Sequence, residues 1–330
     1  PNAMAALQRV LPEMAGRLRA QSLPWQRWRA STMAGELLYE VPLAEVAGCD
    51  GIRIRWADLY RECRAQAGAG LRHGAEVREV EPQHDGRLRL RVLHGDGRAE
   101  AIGDIDLLVA ADGRYSALRR QLCGEAPVRH LGVGNFRVLL DDAGAWPVGD
   151  LAQWFHGPHR LLAFRLRGGL VYLSGNIPIA VDDDIPAERK TARWLRQAYT
   201  PADGPMAEAP RELLRGACDA ADRGELHWSR LQEGTTCWHD ASARVLFPGD
   251  AGHPMVPTLG QGATTAIEDG ALFVEHVRGA LAHGALDVPA LVRGYAAARS
   301  ARIAFIRDVS WAASDVLRDF IEGYLAGPVQ

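Results

Sequence analysis

Two stretches of this chain share one plan, and together they limit what it can fold into. "DIDLLVAADGRYSALRR" and "ARVLFPGDAGHPMVPTLGQGATTAIEDG" each run from a short apolar segment, through a turn bearing an acid, into helix-like sequence. A continuous apolar run bounded by turn residues reads as a strand buried on both faces, as in parallel sheets flanked by helices. Asp112–Gly113 ends the first run and Gly249–Asp250 the second. A carboxylate at a buried strand end is costly unless it accepts hydrogen bonds. Ligands of open α/β sheets bind at such carboxyl ends. Two of these turns suggest two acids meeting one polyhydroxylated ligand. The plainer alternative is a pair of tight turns that use glycine at positive φ.

Between the two stretches the pattern changes. "RLLAFRLRGGLVYLSG" is two alternating apolar runs joined by Gly168–Gly169, which predicts a hairpin with a two-residue turn. With "VGNFRVLL" before it and "LHWSRLQ" after it, an antiparallel sheet is expected over 128–241, interrupted by helices near 187–199 and 210–220. Elsewhere, Trp56, Leu59, Tyr60 and Cys63 predict a helix over 55–67, and alternation predicts strands at 76–80 and 87–93. Met4, Leu7, Val10 and Leu11 fall on one face of an opening helix. Residues 261–282 predict a helix with a stripe of Ala263, Ala266, Ile267, Gly270, Ala271, Val274 and Leu281, where Gly270 implies close approach to a sheet. Asp287 is the expected N-cap of a last helix, with Pro289 in its first turn. The predicted class is α/β with an α+β insertion. Residues 1–127 and 242–285 form a Rossmann-like unit, 128–241 the inserted sheet and 286–330 a C-terminal helical segment.

Composition removes several function classes. A net charge of -3, with arginines scattered along the chain, offers nothing global to nucleic acid or anionic lipid. Five widely spaced cysteines without C-x-x-C imply neither a disulfide framework nor a zinc site, and fit a reduced cytoplasmic setting. No apolar run approaches the ~20 residues that span a bilayer. The dinucleotide fingerprint G-x-G-x-x-G is missing as well. "GAGLRHG" at 68–74 has the wrong spacing and follows a helix, and "GVGNFR" at 132–137 lacks the third glycine. Both read as turns.

The two opening stretches resemble a known family. "DGRYSALRR" looks like the D-G-x-x-S-x-x-R motif of class A flavoprotein monooxygenases, the aromatic-ring hydroxylases that include p-hydroxybenzoate and salicylate hydroxylases. "GDAGHPMVPTLGQGATTAIEDG" resembles that family's G-D-A-A-H-x-x-x-P-x-x-G-Q-G-x-x-x-x-x-E-D-A. "VRGYAAARSAR" is similar to its Y-x-x-x-R segment, and "PNAMAALQRV" to its P-N-A-x-x-A-L. The family places G-x-G-x-x-G some tens of residues before P-N-A, in line with a βαβ unit of about 30 or more residues. The resemblance therefore implies a flavin unit incomplete at its N-terminus, with little to hold the adenosine and pyrophosphate half of FAD. The chain departs from the family in three places. Trp56-Ala57-Asp58-Leu59 stands where R-A-D-L is common, Gly252 replaces alanine, and Thr264 replaces asparagine.

What the resemblance implies can be carried over by residue. Asp250, with Gly249, would meet the ribityl chain of FAD, and Pro257 would pack beside the isoalloxazine. The backbone of Gly260, Gln261 and Gly262 would face the flavin N1 and O2 edge. Asp112 would support the fold around the pyrophosphate, and Arg55 is the candidate for the family's FAD-contacting arginine. His156, His159, His253 and Arg137 are candidates for substrate contact, the alternative for His156 and His159 being surface or structural histidines and for His253 the flavin loop's scaffold. Trp154, Phe155 and Tyr172 line an aromatic pocket or form sheet core. The implied reaction is hydroxylation of a small aromatic or heteroaromatic ring. NAD(P)H reduces FAD, and dioxygen reacts at flavin carbon 4a to give a hydroperoxide. A monomer or homodimer with no nucleic-acid partner is expected. The alternatives are halogenation, epoxidation or prenyl reduction on the same fold, or a flavin-free binding or regulatory homologue.

Overall fold

The computed structural model describes residues 1–141, 146–282, 284 and 286–326, with side chains up to Ser314. Residues 327–330 of the expected C-terminal helical segment lie outside the described residues.

A seven-stranded sheet forms one half of the molecule. Its order across the sheet is His227–Gly234, Val128–Asp141, Leu170–Pro178, His159–Leu166, Leu151–His156, Arg27–Thr32 and Leu37–Pro42. Neighbours pair antiparallel except Leu151–His156 and Arg27–Thr32, which run parallel. Helices Ala192–Tyr199 and Glu208–Asp222 cover one face. Alternation along the strands sends Phe136, Leu161, Leu173 and Val171 to that face, where they meet Leu195, Tyr199 and Leu213. Gly175 belongs to this layer because nothing larger fits. A Cβ there would sit 2.2 Å from Phe136 Cζ.

The sequence reading puts residues 27–42 in the Rossmann-like unit, yet they join the inserted sheet. The reason is long-range polar contact, which local pattern does not reveal. Asp150 accepts hydrogen bonds from Gln26 N (2.8 Å) and Arg27 N (2.7 Å), seating this strand beside Leu151–His156. Arg53 donates to the carbonyls of Pro24, Gly149 and Arg165 and holds the same corner. The hairpin at Gly168–Gly169 forms as expected, but Leu166 faces Leu170, so the turn has three residues rather than two. Gly168 and Gly169 both take positive φ, 85° and 70°.

The other half is the α/β unit. Ala75–Pro82, Leu88–His94 and Ala99–Ile105 form an antiparallel three-stranded sheet beside helix Ala117–Cys123. Leu108–Val109 pairs in parallel with Val245–Leu246. These strands are much shorter than the apolar runs predict, and Val109 is 44% exposed rather than buried. A parallel strand is enclosed only with a neighbour on each edge and helices on both faces. Among the described residues, Leu108–Val109 pairs only with Val245–Leu246.

Helix Gly262–Ala282 forms where expected but buries a different set of residues. Ala263, Ala266 and Gly270 are exposed, and no atom lies within 4 Å of a Cβ added at Gly270. Thr265, Glu268, Asp269 and Ala271 are the buried positions. Two acids are buried here because cations from other elements reach them. On its flank, Ala271 and Val274 pack on Ala6 and Val10 of the opening helix Asn2–Val10. Met4 and Leu7 of that helix are also buried, but Leu11 is not, because the helix stops at Val10 and Pro12 begins another. Asp287 caps the last helix, Val288–Ala326, through a 3.0 Å bond from Ala290 N. No helix of the described residues is long and apolar enough to cross a membrane.

Overpacking at Gly175 gives a direct test of this core. We expect Gly175→Ala to lower stability by about 1–3 kcal/mol, the usual cost of forcing atoms into a filled core. A lower urea midpoint with an unchanged m-value is the measurement.

Candidate active site

Asp112 and Asp250 emerge side by side from the parallel pair. Ala110 N bonds Leu246 O at 2.8 Å just before the two turns. In the first turn Gly113 takes φ 81° and Ser116 caps helix Ala117–Cys123, accepting from Arg119 N at 2.9 Å. Asp112 Oδ2 accepts from Leu118 N at 3.3 Å, so this acid also caps that helix. Arg114 of the first turn and Arg119 of the helix after it then bind the second. Arg119 is buried and reaches Ala251 O and Thr235 O. Arg114 donates to Gln232 O and Met255 O, and its Nε lies 4.0 Å from Asp250 Oδ2. Arg114 was not singled out from sequence. Its signal was its place directly after Asp112–Gly113.

Asp250 is differently placed. Its side chain is 41% exposed, and a Cβ added at Gly262 would lie 3.7 Å from Asp250 Oδ1. The carboxylate therefore stands beside the start of the 21-residue helix. Pro257 opens a short turn that ends at Gly260, which takes φ 64° with open space around its Cα. Thr265 N closes the first helical turn on Gln261 O, leaving the preceding N–H groups at the helix end without an intrahelical partner. Gly249 also needs its glycine: φ is 57°, and a Cβ would lie 3.0 Å from that of Ala266. Gly252, the departure from the family's alanine, is required here, since a Cβ would fall 1.9 Å from Phe247 O. These residues fit the ring and ribityl end of a flavin, with an exposed acid, a turn free of side chains and a helix N-terminus.

A buried ionic network lies beneath this cradle. Asp269 Oδ2 accepts from Gly249 N (2.8 Å) and pairs with His253 Nε2 (2.6 Å), while Oδ1 accepts from Arg299 Nε (2.8 Å). Glu268 binds Arg302 through both oxygens and lies 3.4 Å from Arg299. His253 thus serves the scaffold, fully buried against Asp269 and Trp238. Sequence reading quoted the E-D-G and Y-x-x-x-R segments but gave Asp269 and Arg299 no role. Charged residues in a surface helix ordinarily face solvent, so hydrophobic pattern gives no sign that these two are buried. Removing one partner of a buried ion pair costs about 3–5 kcal/mol, so we expect Asp269→Ala to lose stability on that scale in denaturant titration.

The pH dependence has a definite sign. Burial alone would raise the Asp269 carboxyl, but hydrogen bonds from His253 and Gly249 and the Arg299 charge outweigh it and hold the group low. A carboxyl depressed on folding stabilises fully above its unfolded pKa of about 3.9 and loses that contribution as pH falls through its folded pKa. We expect acid titration of the wild type to show a loss of stability beginning near pH 4, and Asp269→Asn to flatten that slope.

A second group of residues lines a cavity of about 1030 Å³ beside the sheet, among them Arg55, Trp56, Arg137, Phe164 and Tyr172. Phe164 and Tyr172 stack at 4.9 Å with rings 22° apart. Arg137 is exposed, its Nη2 3.5 Å from Ser229 Oγ. Arg55 begins helix Trp56–Ala67 and bonds Asp58 Oδ1 at 3.2 Å, while its Nε is buried without a hydrogen-bond partner. Pro257 and Gly260–Gly262 are not among the lining residues, so the candidates fall into two groups: Asp112, Gly249, Asp250, Pro257, Gly260, Gln261 and Gly262, and then Arg55 with Arg137.

His156 joins neither group. It shares a face with Trp154, and its cross-strand partner is His159. His159 packs against Trp194 and Tyr199 on the helix-covered side. Arg137, Phe164 and Tyr172 lie on the opposite face, because side chains alternate along each strand. Burial, with His156 beside it, pushes His159 down to about 4, as a packed core histidine requires. His156 thus lies on the face of the sheet away from Arg137, Phe164 and Tyr172. Trp154 is sheet core, whereas Tyr172 belongs to the cavity.

With this geometry in hand, residues 55–304 match the family described as FAD binding domain. The chain belongs to that family. This FAD-binding-domain protein is 31% identical over 271 residues to an FAD-dependent urate hydroxylase of Klebsiella pneumoniae, an alignment covering 79% of this chain and 64% of the relative. The match thus spans just under two thirds of that relative. It is 24% identical over 330 residues to 6-hydroxynicotinate 3-monooxygenase of Pseudomonas fluorescens, covering 94% of this chain and 80% of that protein. Its fold resembles the crystal structure of Klebsiella pneumoniae HpxO complexed with FAD and uric acid. The TM-score is 0.78 at 22% identity, over 98% of this chain and 80% of that one.

Proposed function

We propose that this FAD-binding-domain protein is part of an FAD-dependent monooxygenase that hydroxylates a small aromatic or heteroaromatic ring with NAD(P)H and dioxygen. The observation that carries the reading is Asp250, held half-exposed beside Gly262 while Arg114 and Arg119 bind its turn to that of Asp112. The names of the relatives, a urate hydroxylase and a hydroxynicotinate monooxygenase, support a planar ring substrate.

When bound, FAD supplies what the side chains lack, a hydride acceptor and a route for dioxygen to the ring. The chain's own residues do the positioning. Asp250 would accept hydrogen bonds from ribityl hydroxyls, and Asp112 would keep the neighbouring turn in register. Gly260 offers a flat backbone surface, and Pro257 adds a rigid apolar edge. The open N–H groups at the start of the helix favour negative charge by about 0.3–1 kcal/mol, so they tune the ring's charge without holding the ligand. In the cavity, Phe164 and Tyr172 make an aromatic wall. Arg137 and Arg55 lend positive charge to a phenolate, enolate or carboxylate. An ionised ring is richer in electrons and a better oxygen acceptor. Five free cysteines support a reducing, cytoplasmic setting, and the expected assembly is a monomer or homodimer.

The test uses protein expressed from its complete gene. Flavin absorbance should be present, and NADPH should bleach it faster with a hydroxylated heteroaromatic acid added. No bound flavin, even with added FAD, would sink the proposal. We expect Asp250→Ala to cut flavin retention at least tenfold. We expect Arg137→Ala to leave flavin content unchanged and raise KM for an anionic substrate about tenfold, the loss of one charge-assisted contact of about 1.5 kcal/mol.

A further inference from the structure

Five cysteines are free, and two of them meet. Cys123 Sγ and Cys237 Sγ are 2.9 Å apart although 114 residues separate them in the chain. Cys123 is the last residue of helix Ala117–Cys123, where the chain leaves for the inserted sheet. Cys237 follows strand His227–Gly234, where the chain returns. We propose that Cys123 and Cys237 form a reversible disulfide site that, when oxidised, fastens the two chain crossings between the α/β unit and the sheet.

The contact is built from both sides. Arg119, one turn earlier on the same helix, donates to Thr235 O at 2.9 Å and to Thr235 Oγ1 at 3.2 Å. Cys237 N donates to Gly252 O at 2.8 Å, and Phe247 N to Trp238 O at 2.8 Å. These bonds hold the helix end and the returning segment together independently of the sulfurs. A disulfide bond is about 2.05 Å long, so the sulfurs need to close by only about 0.9 Å. Reagent can reach the pair, since Cys123 is exposed and Cys237 half-buried. Burial first, then the neighbouring Cys237, pushes the Cys123 thiol up to about 12, so Cys123 is a slow nucleophile and the exchange needs an excess of oxidant. Of the other thiols, Cys218 is buried against Ala192 O, Cys49 Sγ lies 4.0 Å from Pro1 O, and Cys63 is exposed.

The oxidant is a low-molecular-weight disulfide such as oxidised glutathione. Its S–S bond breaks, one S–S bond forms between Cys123 and Cys237, and two glutathione thiols leave with the two thiol protons. The new bond closes a loop that contains five of the seven strands of the large sheet. A cross-link over so long a loop restricts the unfolded chain strongly, so the oxidised form should melt higher. The proposal is independent of the ring chemistry above.

The experiment treats the full-length, flavin-loaded protein with oxidised glutathione, alkylates free thiols and maps the peptides without reduction. We expect a cross-linked pair of peptides carrying Cys123 and Cys237, a loss of two titratable thiols, and a Tm several degrees above the reduced form. Dithiothreitol should reverse all three, and either Cys123→Ser or Cys237→Ser should abolish them. Glutathione adducts at Cys63 or elsewhere without that cross-linked peptide would overturn the proposal. So would a cross-link that leaves Tm unchanged, because the bond would then fasten nothing. The wild-type peptide map stands even if a serine variant fails to fold.

Discussion

The geometry of the candidate site depends on one buried carboxylate. Asp269 has no exposed surface, yet it accepts from the Gly249 backbone, from His253 and from Arg299. Those partners lie on the turn after a strand, on the loop that follows and on the last helix. A lone buried carboxylate is among the most costly groups a fold can carry, so each partner is obligatory once the others are in place. The same constraint sets the loop that carries Asp250. With Gly249 N and His253 pinned from below, the acid between them is turned outward, half-exposed beside the start of helix Gly262–Ala282.

A second set of arginines performs the equivalent task laterally. Arg114 and Arg119 donate to backbone carbonyls of Gln232, Thr235, Ala251 and Met255, and Arg114 also faces Asp250 at 4.0 Å. Guanidinium groups suit this work because their planar fork meets two carbonyls at once. The result ties three distant segments together: the first strand-end turn, the returning edge of the large sheet and the second strand-end turn. The close approach of Cys123 and Cys237 is a by-product of the same knot.

Much of the architecture was legible in local pattern. Alternation located the strands around the Gly168–Gly169 turn, periodicity the helices from Trp56 and Gly262, and the Asp287 cap with Pro289 the last helix. Two of the departures share a cause. Strand Arg27–Thr32 is in the sheet because Asp150 and Arg53 reach across more than a hundred residues in the first case and more than ninety in the second. Helix Gly262–Ala282 turns Glu268 and Asp269 inward because Arg299 and Arg302 arrive from another helix. Hydrophobic patterning assigns faces on the assumption that charges stay wet. It fails where a distant opposite charge cancels the cost of burial.

For the site itself, the sequence alone determined the chemistry on offer. Acids follow strand ends, glycines stand where positive φ or close approach demands them, and the order of these motifs is that of a flavoprotein family. Local covalent structure suffices for this, since a turn conformation and a strand-end position depend on near neighbours. Tertiary structure decided which residues face which space. The pleat of the sheet placed His156 and Arg137 on opposite faces, with Arg137 at the cavity, a division the linear chain does not show. A strand's two faces differ only in what packs on them, and that is a property of the whole fold.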